Sequence, residues 1–185
     1  METPKNILRA IAGESLARNK YTYFASAAKK EGFEQIAAIF TETADNEKEH
    51  AKRLMKLLKG GEKSTLENYD FPTVGTTSEN LAAAAAGEKF EWGTMYPGFA
   101  ETARNEGFDE EAMVFKEIGE VEVQHEKRYL KLKQNVDSDQ VFKRDGKVFW
   151  KCRNCGYVHE GAKAPADCPA CAHPQAYYEV LAENY

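Results

Sequence analysis

Residues 41–54 read TETADNEKEHAKRL and place Glu47 and His50 three positions apart. Side chains three apart lie on the same face of a helix, so this Glu and His can bind the same metal ion. Phe40 and Leu54 fall on the same side at helical spacing, which puts the pair on the apolar stripe of the helix. A carboxylate on a core-facing stripe needs a partner, because burying a lone charge costs several kcal/mol. A metal ion is the partner that this pair of residue types favours.

A second copy of this pattern lies in residues 116–128, which read KEIGEVEVQHEKR. Glu122 and His125 match the first pair at an offset of 75 residues, and Phe115 and Ile118 again place them on an apolar stripe. A single Glu-x-x-His pair is commonly an accident of a charged helix surface. Duplication within a longer repeat favours a functional site, because two such helices facing each other can hold two metal ions.

Composition limits the classes of function. The chain has 185 residues, is 42% hydrophobic and 30% charged, and has a net charge of −5. This length has room for one medium domain and one small domain. The acidic balance gives no nucleic-acid signature, and the longest apolar run, residues 81–86, is far shorter than the ~20 residues that span a bilayer. We therefore predict no nucleic-acid or membrane partner and, because the N-terminus lacks the apolar core of a signal peptide, a cytoplasmic location.

Apolar periodicity predicts four long helices. Their expected bounds are residues 5–31, 34–59, 78–105 and 109–134. The long loop expected over residues 61–77 fits a bundle in which the third helix starts at the opposite end. The predicted fold is mostly α, a four-helix bundle in residues 1–136 followed by a small metal-bound domain in residues 137–185.

The first two helices and the last two are copies of one hairpin, with one difference. Gly32 matches Gly107 at an offset of 75, whereas Glu14 matches Glu88 at an offset of 74. One residue has therefore been inserted after Glu88. An insertion inside a helix is commonly absorbed as a π-bulge, and such bulges gather at functional sites. We predict that this bulge turns Glu91 toward the metal site.

Glu14 and Glu88 are further acids on apolar stripes, so each of the four helices contributes a core-facing carboxylate. This is the pattern of di-iron and di-manganese carboxylate bundles, whose oxygen-rich ligand sets favour iron or manganese over structural zinc. The candidate metal ligands are Glu14, Glu47, His50, Glu88, Glu91, Glu122 and His125. Tyr21 lies two turns beyond Glu14, and Tyr96 occupies the matching place beyond Glu88. Either tyrosine can hydrogen-bond a ligand carboxylate, deliver a proton or simply pack in the core.

All four cysteines lie between residues 152 and 171. They form two C-x2-C pairs, 12 residues apart, from Cys152, Cys155, Cys168 and Cys171. This spacing predicts one tetrahedral four-thiolate metal site. Zinc and iron both accept four thiolates, so the spacing leaves a structural zinc ribbon and a redox iron open. A redox di-metal site needs an electron source, which favours iron, although zinc could replace it after heterologous expression.

After a polar linker, residues 135–141, the hydrophobic pattern changes to the alternation of strands. Residues 141–150 alternate in this way and carry Asp145 and Gly146 in the middle, a dipeptide typical of tight hairpin turns. We therefore predict a hairpin with its turn at Asp145-Gly146. A domain this short has little core of its own, so a bound metal is expected to stabilise it.

Taken together, these motifs resemble the rubrerythrin family. The resemblance spans nearly the whole chain and rests on Glu47-x-x-His50, Gly87-Glu88-x-x-Glu91, Met95-Tyr96-Pro97, Glu122-x-x-His125 and the two cysteine pairs. It implies a ferritin-like di-iron bundle followed by a rubredoxin-like domain. Free rubredoxins differ in having a longer spacer between the cysteine pairs and a glycine where this chain has Ala172.

The resemblance implies a non-haem di-iron peroxidase that reduces hydrogen peroxide to water. Electrons would enter at an iron held by the four cysteines and pass to two irons in the carboxylate site. The donor would be rubredoxin or another external protein, with NAD(P)H as the ultimate source through separate reductases. The family also implies a homodimer, and a shift of one iron between Glu91 and His50 as the redox state changes. Tyr21, Tyr96 and Glu91 are the residues expected to act in catalysis.

Two other classes of function stay open at this point. A ferroxidase or iron-handling protein would use the same bundle but has no need of a redox cysteine site. A non-catalytic helical scaffold with a zinc ribbon would leave seven core-facing ligands without a purpose. Metal analysis separates the scaffold from the other two classes, and turnover with peroxide against oxygen separates the peroxidase from the ferroxidase.

Overall fold

The computed structural model describes residues 1–65 and 72–184 and confirms the mostly helical fold class. The helices are Thr3–Lys30 (α1), Glu34–Met55 (α2), Thr77–Phe90 (α3), Tyr96–Asn105 (α4) and Asp109–Asp137 (α5), with a π-helical segment, Glu91–Met95, between α3 and α4. The strands are Lys143–Cys152 (β1), Val158–Lys163 (β2) and Tyr178–Val180 (β3). None of the described helices is long and apolar enough to cross a membrane.

Two helical hairpins form the bundle, α1 with α2 and α3–α4 with α5. Each hairpin turns at a glycine in the left-handed region, Gly32 at φ +84° and Gly107 at φ +80°. Glycine adopts this conformation at little cost because it has no Cβ. The matching turns agree with the repeat that the sequence predicts.

α2 ends at one end of the bundle and α3 begins at the other, as predicted. Leu54 at the end of α2 packs with Ile7 near the start of α1. The Thr77 amide at the start of α3 donates to Glu31 Oε1 (2.9 Å) beyond the end of α1. Part of the predicted loop, residues 66–71, lies outside the described residues.

Two helix ends differ from the predicted bounds. α2 ends at Met55 rather than at residue 59 because its last turn tightens: the amides of Lys56 and Leu57 bond to carbonyls three residues back. α5 runs to Asp137 rather than to residue 134, which shortens the linker. The predicted domain boundary between residues 136 and 137 stays a prediction.

The bundle core consists of two apolar clusters with a polar layer between them. Phe24 and Phe40 belong to the cluster at one end, and Ile7 and Leu54 to the cluster at the other. Along α1 the side chain between the two clusters is Glu14, which is 1% exposed. The polar layer thus lies in the middle of the bundle, shielded from both ends.

The small domain contains an antiparallel sheet in the order β2-β1-β3. The hairpin prediction at Asp145-Gly146 is wrong, because both residues lie inside β1, where the register with β2 shifts between Lys143 and Val148. The dipeptide therefore accommodates a bulge, and the turn lies between β1 and β2, where the first cysteine pair lies. This register is favoured because it buries Trp150, which is 0% exposed.

The small domain packs against the turn between α1 and α2. The rings of Phe33 and Phe142 stack with centroids 6.1 Å apart and planes 11° apart. Ala176 also packs closely against Gly32: its Cβ lies 3.6 Å from the position that a Cβ on residue 32 would occupy. These apolar contacts join the two parts of the molecule.

Candidate metal centres

The polar layer of the bundle is built from one buried carboxylate on each of four helices. Glu14, Glu47, Glu88 and Glu122 are all at most 1% exposed. Each lies on the face of its helix that otherwise presents apolar side chains, so helix packing brings the four carboxylates together. This is the set that the helical periodicity predicts.

The ligand atoms fall into two overlapping groups, each with its atoms within 4.8 Å of one another. The first group is Glu14, Glu47, His50 and Glu122. The second group is Glu47, Glu88, Glu122 and His125. Glu47 and Glu122 belong to both groups, so these two carboxylates can bridge a pair of metal ions. Each ion then has one further Glu and one His of its own.

Both histidines direct Nδ1 at the shared carboxylates. His50 Nδ1 lies 3.0 Å from Glu47 Oε2 and 3.0 Å from Glu122 Oε1. His125 Nδ1 lies 3.3 Å from Glu47 Oε1 and 2.6 Å from Glu122 Oε2. The two Glu-x-x-His pairs therefore face each other, as their repeat predicts.

Several atoms in this layer have unsatisfied bonding capacity, which is the observation that tests the fit of metal ions. Glu14 Oε2, Glu47 Oε1, both Glu122 oxygens and His125 Nδ1 are buried, and although several of them lie within 3.3 Å of a histidine nitrogen or a carboxylate oxygen, none is aligned for a hydrogen bond with a described group. Buried polar atoms are nearly always paired, so five such atoms in one layer need an explanation. Two metal ions provide it, and the carboxylate-rich set suits iron. The residues fit a di-iron site.

The pKa values in the layer shift in opposite directions. Burial raises the pKa of Glu14 to about 8 and that of Glu88 well above its usual range. Burial acts in the same direction on Glu47, but contacts with His125 and His50 lower its pKa to about 2. The layer thus gathers more carboxylates than two histidines can neutralise. Divalent cations would remove this imbalance.

The predicted insertion is present as the π-helical segment Glu91–Met95, in which the Tyr96 amide bonds to the Glu91 carbonyl. Glu91 belongs to neither ligand group. Burial, followed by the charges of Glu14 and Glu88, raises the pKa of Glu91 well above its usual range. The Glu91 carboxyl is thus close enough to feel the charges of the cluster, and its role as a metal ligand stays a prediction.

The two predicted tyrosines both contact the carboxylate site. Each of them bonds to a glutamate of the other helical hairpin and not to the glutamate two turns before it on its own hairpin. The Tyr21 hydroxyl donates to Glu88 Oε1 at 2.5 Å, and the Tyr96 hydroxyl donates to Glu14 Oε1. Burial raises the pKa of both phenols well above the ordinary value, so both stay protonated donors. The crossed arrangement ties the two hairpins together through the ligand carboxylates.

Sequence reasoning missed one contact beside the site. The Trp92 indole N–H donates to Glu126 Oε2 at 2.8 Å and fastens the π-helical segment to α5. No local pattern pairs these residues, because they lie 34 positions apart on different elements. Only the packing of the segment on α5 reveals their contact.

The four cysteine sulfurs also form one group within 4.8 Å. Cys152 Sγ lies 3.8 Å from Cys171 Sγ, and Cys155 Sγ lies 3.6 Å from Cys168 Sγ. A tetrahedral ion with metal–sulfur bonds of ~2.3 Å would place its sulfurs roughly 3.8 Å apart. The sulfurs therefore fit a single tetrahedral metal ion.

Two tight turns position the sulfurs. The Gly156 amide bonds to the Cys152 carbonyl, and the Ala172 amide bonds to the Cys168 carbonyl, both at 2.8 Å. Both turns need a left-handed residue, which is Gly156 at φ +81° in one and Ala172 at φ +57° in the other. A hydrogen bond from the His173 backbone lowers the pKa of Cys171 to about 6, which favours the thiolate that binds metal.

Family models match both parts of the chain. The model described as Rubrerythrin matches residues 5–133. The model described as Rubrerythrin, rubredoxin-like domain, matches residues 150–179. The first match includes both Glu-x-x-His pairs, and the second includes all four cysteines.

Two curated relatives match over nearly their full length. The rubrerythrin of Porphyromonas gingivalis is 55% identical over 184 residues, which cover 100% of this chain and 92% of the relative. The rubrerythrin of Nitratidesulfovibrio vulgaris is 53% identical over 183 residues, which cover 99% of this chain and 96% of the relative.

Solved structures share the fold. A mixed-valence state of nigerythrin is 34% identical and superposes with a TM-score of 0.67 over 97% of this chain and 86% of that chain. A bacterioferritin of Desulfovibrio desulfuricans has a TM-score of 0.68 over 75% of this chain and 82% of that chain at 20% identity, which shows the fold alone.

Proposed function

The chain belongs to the rubrerythrin family, and on that premise we propose that it is a peroxidase that reduces hydrogen peroxide to water. The reaction takes two electrons and two protons for each peroxide and breaks the O–O bond to give two waters. The protein must therefore hold a two-electron centre, supply protons to it and reload it with electrons. Each requirement corresponds to a group of residues described above.

One observation carries this proposal: a four-thiolate site and a carboxylate-rich site occur in the same chain. The rubredoxin-like domain that holds the four thiolates gives the bundle an electron entry of its own. A ferroxidase takes its electrons from the iron that it oxidises, so it has no use for such a domain. A peroxidase needs electrons from outside in every cycle.

When bound, two iron ions would supply Lewis acidity and the electrons for peroxide reduction. Glu14, Glu47, His50 and Glu122 would hold one ion, and Glu47, Glu88, Glu122 and His125 would hold the other. The carboxylates are at most 1% exposed, whereas the side chain of His50 is 14% exposed. We therefore infer that a molecule as small as peroxide reaches the site from the His50 side.

Protons are available at two phenol oxygens. Tyr21 holds a proton against Glu88 Oε1, and Tyr96 holds one against Glu14 Oε1. Because its raised pKa makes each phenol a weak acid, it would give up its proton only to a strong base, such as the hydroxide released when the O–O bond breaks, and would thereby act as a general acid. Glu91, which belongs to neither ligand group, is the third candidate for this role.

The partners follow from the same requirements. We propose that rubredoxin or another small redox protein reduces the four-cysteine iron, with NAD(P)H as the ultimate donor through separate reductases. We also propose a homodimer and a cytoplasmic location, since four thiols that bind metal need a reducing compartment. Light scattering on the purified protein would give its mass in solution, and cell fractionation would give its location.

Stopped-flow absorbance on the fully reduced, iron-loaded protein tests the proposed reaction. We expect two equivalents of anaerobic hydrogen peroxide, enough to oxidise all three ferrous ions, to restore the visible colour of the oxidised four-cysteine iron faster than dissolved oxygen does. Recovery that is no faster with peroxide than with oxygen would refute the peroxidase and favour the ferroxidase. Full replacement of the cysteines by serine gives the matched control, which should lose the colour change.

A further inference from the structure

Tyr178 lies at the centre of the small domain. It pairs with Cys152 across the β1–β3 ladder and is 0% exposed. Its ring belongs to the domain's apolar cluster, together with Trp150 and the buried ligand Cys168. The side chain is therefore enclosed beside the four-cysteine site rather than at the domain surface.

The packing of the domain does not account for the hydroxyl of Tyr178. Its oxygen is buried and forms no hydrogen bond with any described group. Leaving a buried hydroxyl unpaired destabilises the folded protein, and a phenylalanine at this position would avoid that cost. A buried polar group without a partner calls for a ligand or a charge that it can bind.

The Cys168 thiol is the group that meets this hydroxyl. Burial, followed by contact with the Cys168 thiol, raises the pKa of Tyr178 above its ordinary value. Tyr178 and Cys168 are 0% and 2% exposed and belong to one apolar cluster, so the hydroxyl and the sulfur share one enclosed space, and no hydrogen bond joins them in the structure.

Metal binding changes the acceptor. A cysteine that binds a metal is a thiolate, and a thiolate accepts hydrogen bonds more strongly than a thiol does. The phenol O–H needs only to turn toward Sγ, because no other described group competes for it. We propose that Tyr178 donates a hydrogen bond to Cys168 Sγ of the iron-loaded site and thereby raises the reduction potential of that iron.

The direction of the effect follows from charge. Ferric iron with four thiolates carries one negative charge, and the ferrous form that results from adding one electron carries two. Donors to the sulfurs stabilise the more negative, reduced form, and hydrogen bonds to sulfur are a known determinant of such potentials. Tyr178 would act as a positioning and tuning residue for electron entry, because it contacts a ligand and not the substrate.

Reduction potentials of the iron-loaded full chain and its Tyr178→Phe variant test the proposal. We expect the ratio of ferrous to ferric four-cysteine iron at a fixed applied potential to fall about tenfold in the variant, equivalent to ~59 mV for a one-electron couple. Tyr177→Phe is the matched control, because it removes the same hydroxyl group from the next residue in the chain. The ring of Tyr177 packs edge-on against His173. An unchanged potential in Tyr178→Phe would overturn the proposal.

A second measurement looks for the hydrogen bond itself and needs no variant. The full chain is loaded with ¹¹³Cd at the cysteine site and studied by NMR. A group that donates a hydrogen bond to a ligand sulfur then shows scalar coupling between its proton and the metal. We expect a cross peak from the Tyr178 hydroxyl proton beside those from backbone amides. Amide cross peaks without a hydroxyl peak would show a folded site in which Tyr178 does not donate. Neither measurement depends on turnover, so failure of the peroxidase proposal would not affect the outcome.

Discussion

The role of a single residue in the bundle depends on its hydrogen-bond partner, and the two buried tyrosines show this most clearly. Tyr21 and Tyr96 each donate to a carboxylate from the opposite hairpin. Each hydroxyl holds one oxygen of a candidate metal ligand, Glu88 or Glu14, and leaves the other oxygen free to bind a metal ion. Partners that orient ligands in this way typically contribute 10–100-fold in metal affinity or activity.

Replacing Tyr96 by phenylalanine should therefore reduce peroxide turnover by about 10–100-fold, because Glu14 loses its donor and the site loses a proton source. Turnover of peroxide with a reduced rubredoxin donor and iron content by elemental analysis are the measurements. Tyr23→Phe provides the control, since Tyr23 is 57% exposed. A Tyr96→Phe enzyme with full activity and full iron content would show that this hydroxyl only packs.

Glu106 provides a prediction about acid stability. Its carboxylate accepts hydrogen bonds from the amides of Glu2 (2.8 Å) and Thr3 (2.9 Å) at the start of α1. These bonds lower its pKa from 4.5 to about 2. Because the folded pKa is the lower one, its stabilising effect is complete above about pH 4.5 and is lost as the pH falls toward 2.

The Glu106→Gln variant should accordingly melt below the wild type at neutral pH, and the gap should narrow as the pH falls below about 4.5. Thermal unfolding followed by circular dichroism from pH 7 downward measures the gap. Glu101 is an exposed acid on α4, the helix that ends just before Glu106. The Glu101→Gln variant should therefore melt close to the wild type at every pH. A gap that is constant with pH would mean that the charge of Glu106 makes no difference.

At the scale of elements, the π-helical segment sets the relative rotation of α3 and α4. Glu88 lies before it and Tyr96 after it, and both face the polar layer. In a regular helix one of the two would rotate away, since each residue turns the helix by about 100°. The Trp92–Glu126 hydrogen bond holds the wider turn against α5.

Deleting Gly93 should restore a regular helix and misplace either Glu88 or Tyr96. Gly93 is suited to this test because it packs against no other described element: a Cβ built at this position would have no neighbouring atom within 4 Å. We expect iron in the bundle to fall well below two ions per chain while the four-cysteine iron is retained. Elemental analysis combined with the visible spectrum reports both. Full di-iron occupancy would mean that the segment has no part in shaping the site.

At the scale of the whole molecule, the structure joins two parts with different chemistry. The bundle and the small domain meet where Phe33 stacks on Phe142. An aromatic stack contributes roughly 0.5–1.5 kcal/mol beyond the area that it buries. The close approach of Ala176 to Gly32 adds to this contact, so loss of the stack should weaken the docking of the small domain without abolishing it.

Phe142→Ala should loosen this contact and expose the short linker after α5. We expect limited proteolysis to cut residues 138–142 severalfold faster than in the wild type, with both metal sites still loaded. Phe149→Ala is the control, because Phe149 is 54% exposed and belongs to the same sheet. Equal cleavage of wild type and Phe142→Ala would locate the main contact elsewhere.

The sequence by itself determined the helical bundle, the two ligand pairs, the inserted residue and the cysteine site. Each is a local pattern, because spacing along a helix or a turn decides which side chains share a face. Sequence patterning failed at Asp145-Gly146, where a local turn preference yielded to the register that buries Trp150.

Tertiary structure alone decided which residues meet across elements. It brought Glu47 and Glu122 into both ligand groups, crossed Tyr21 and Tyr96 between the hairpins, and enclosed the Tyr178 hydroxyl beside the cysteine site. These contacts join residues far apart in the chain. Spacing along the sequence does not encode them, since they depend on how whole helices and strands pack against one another.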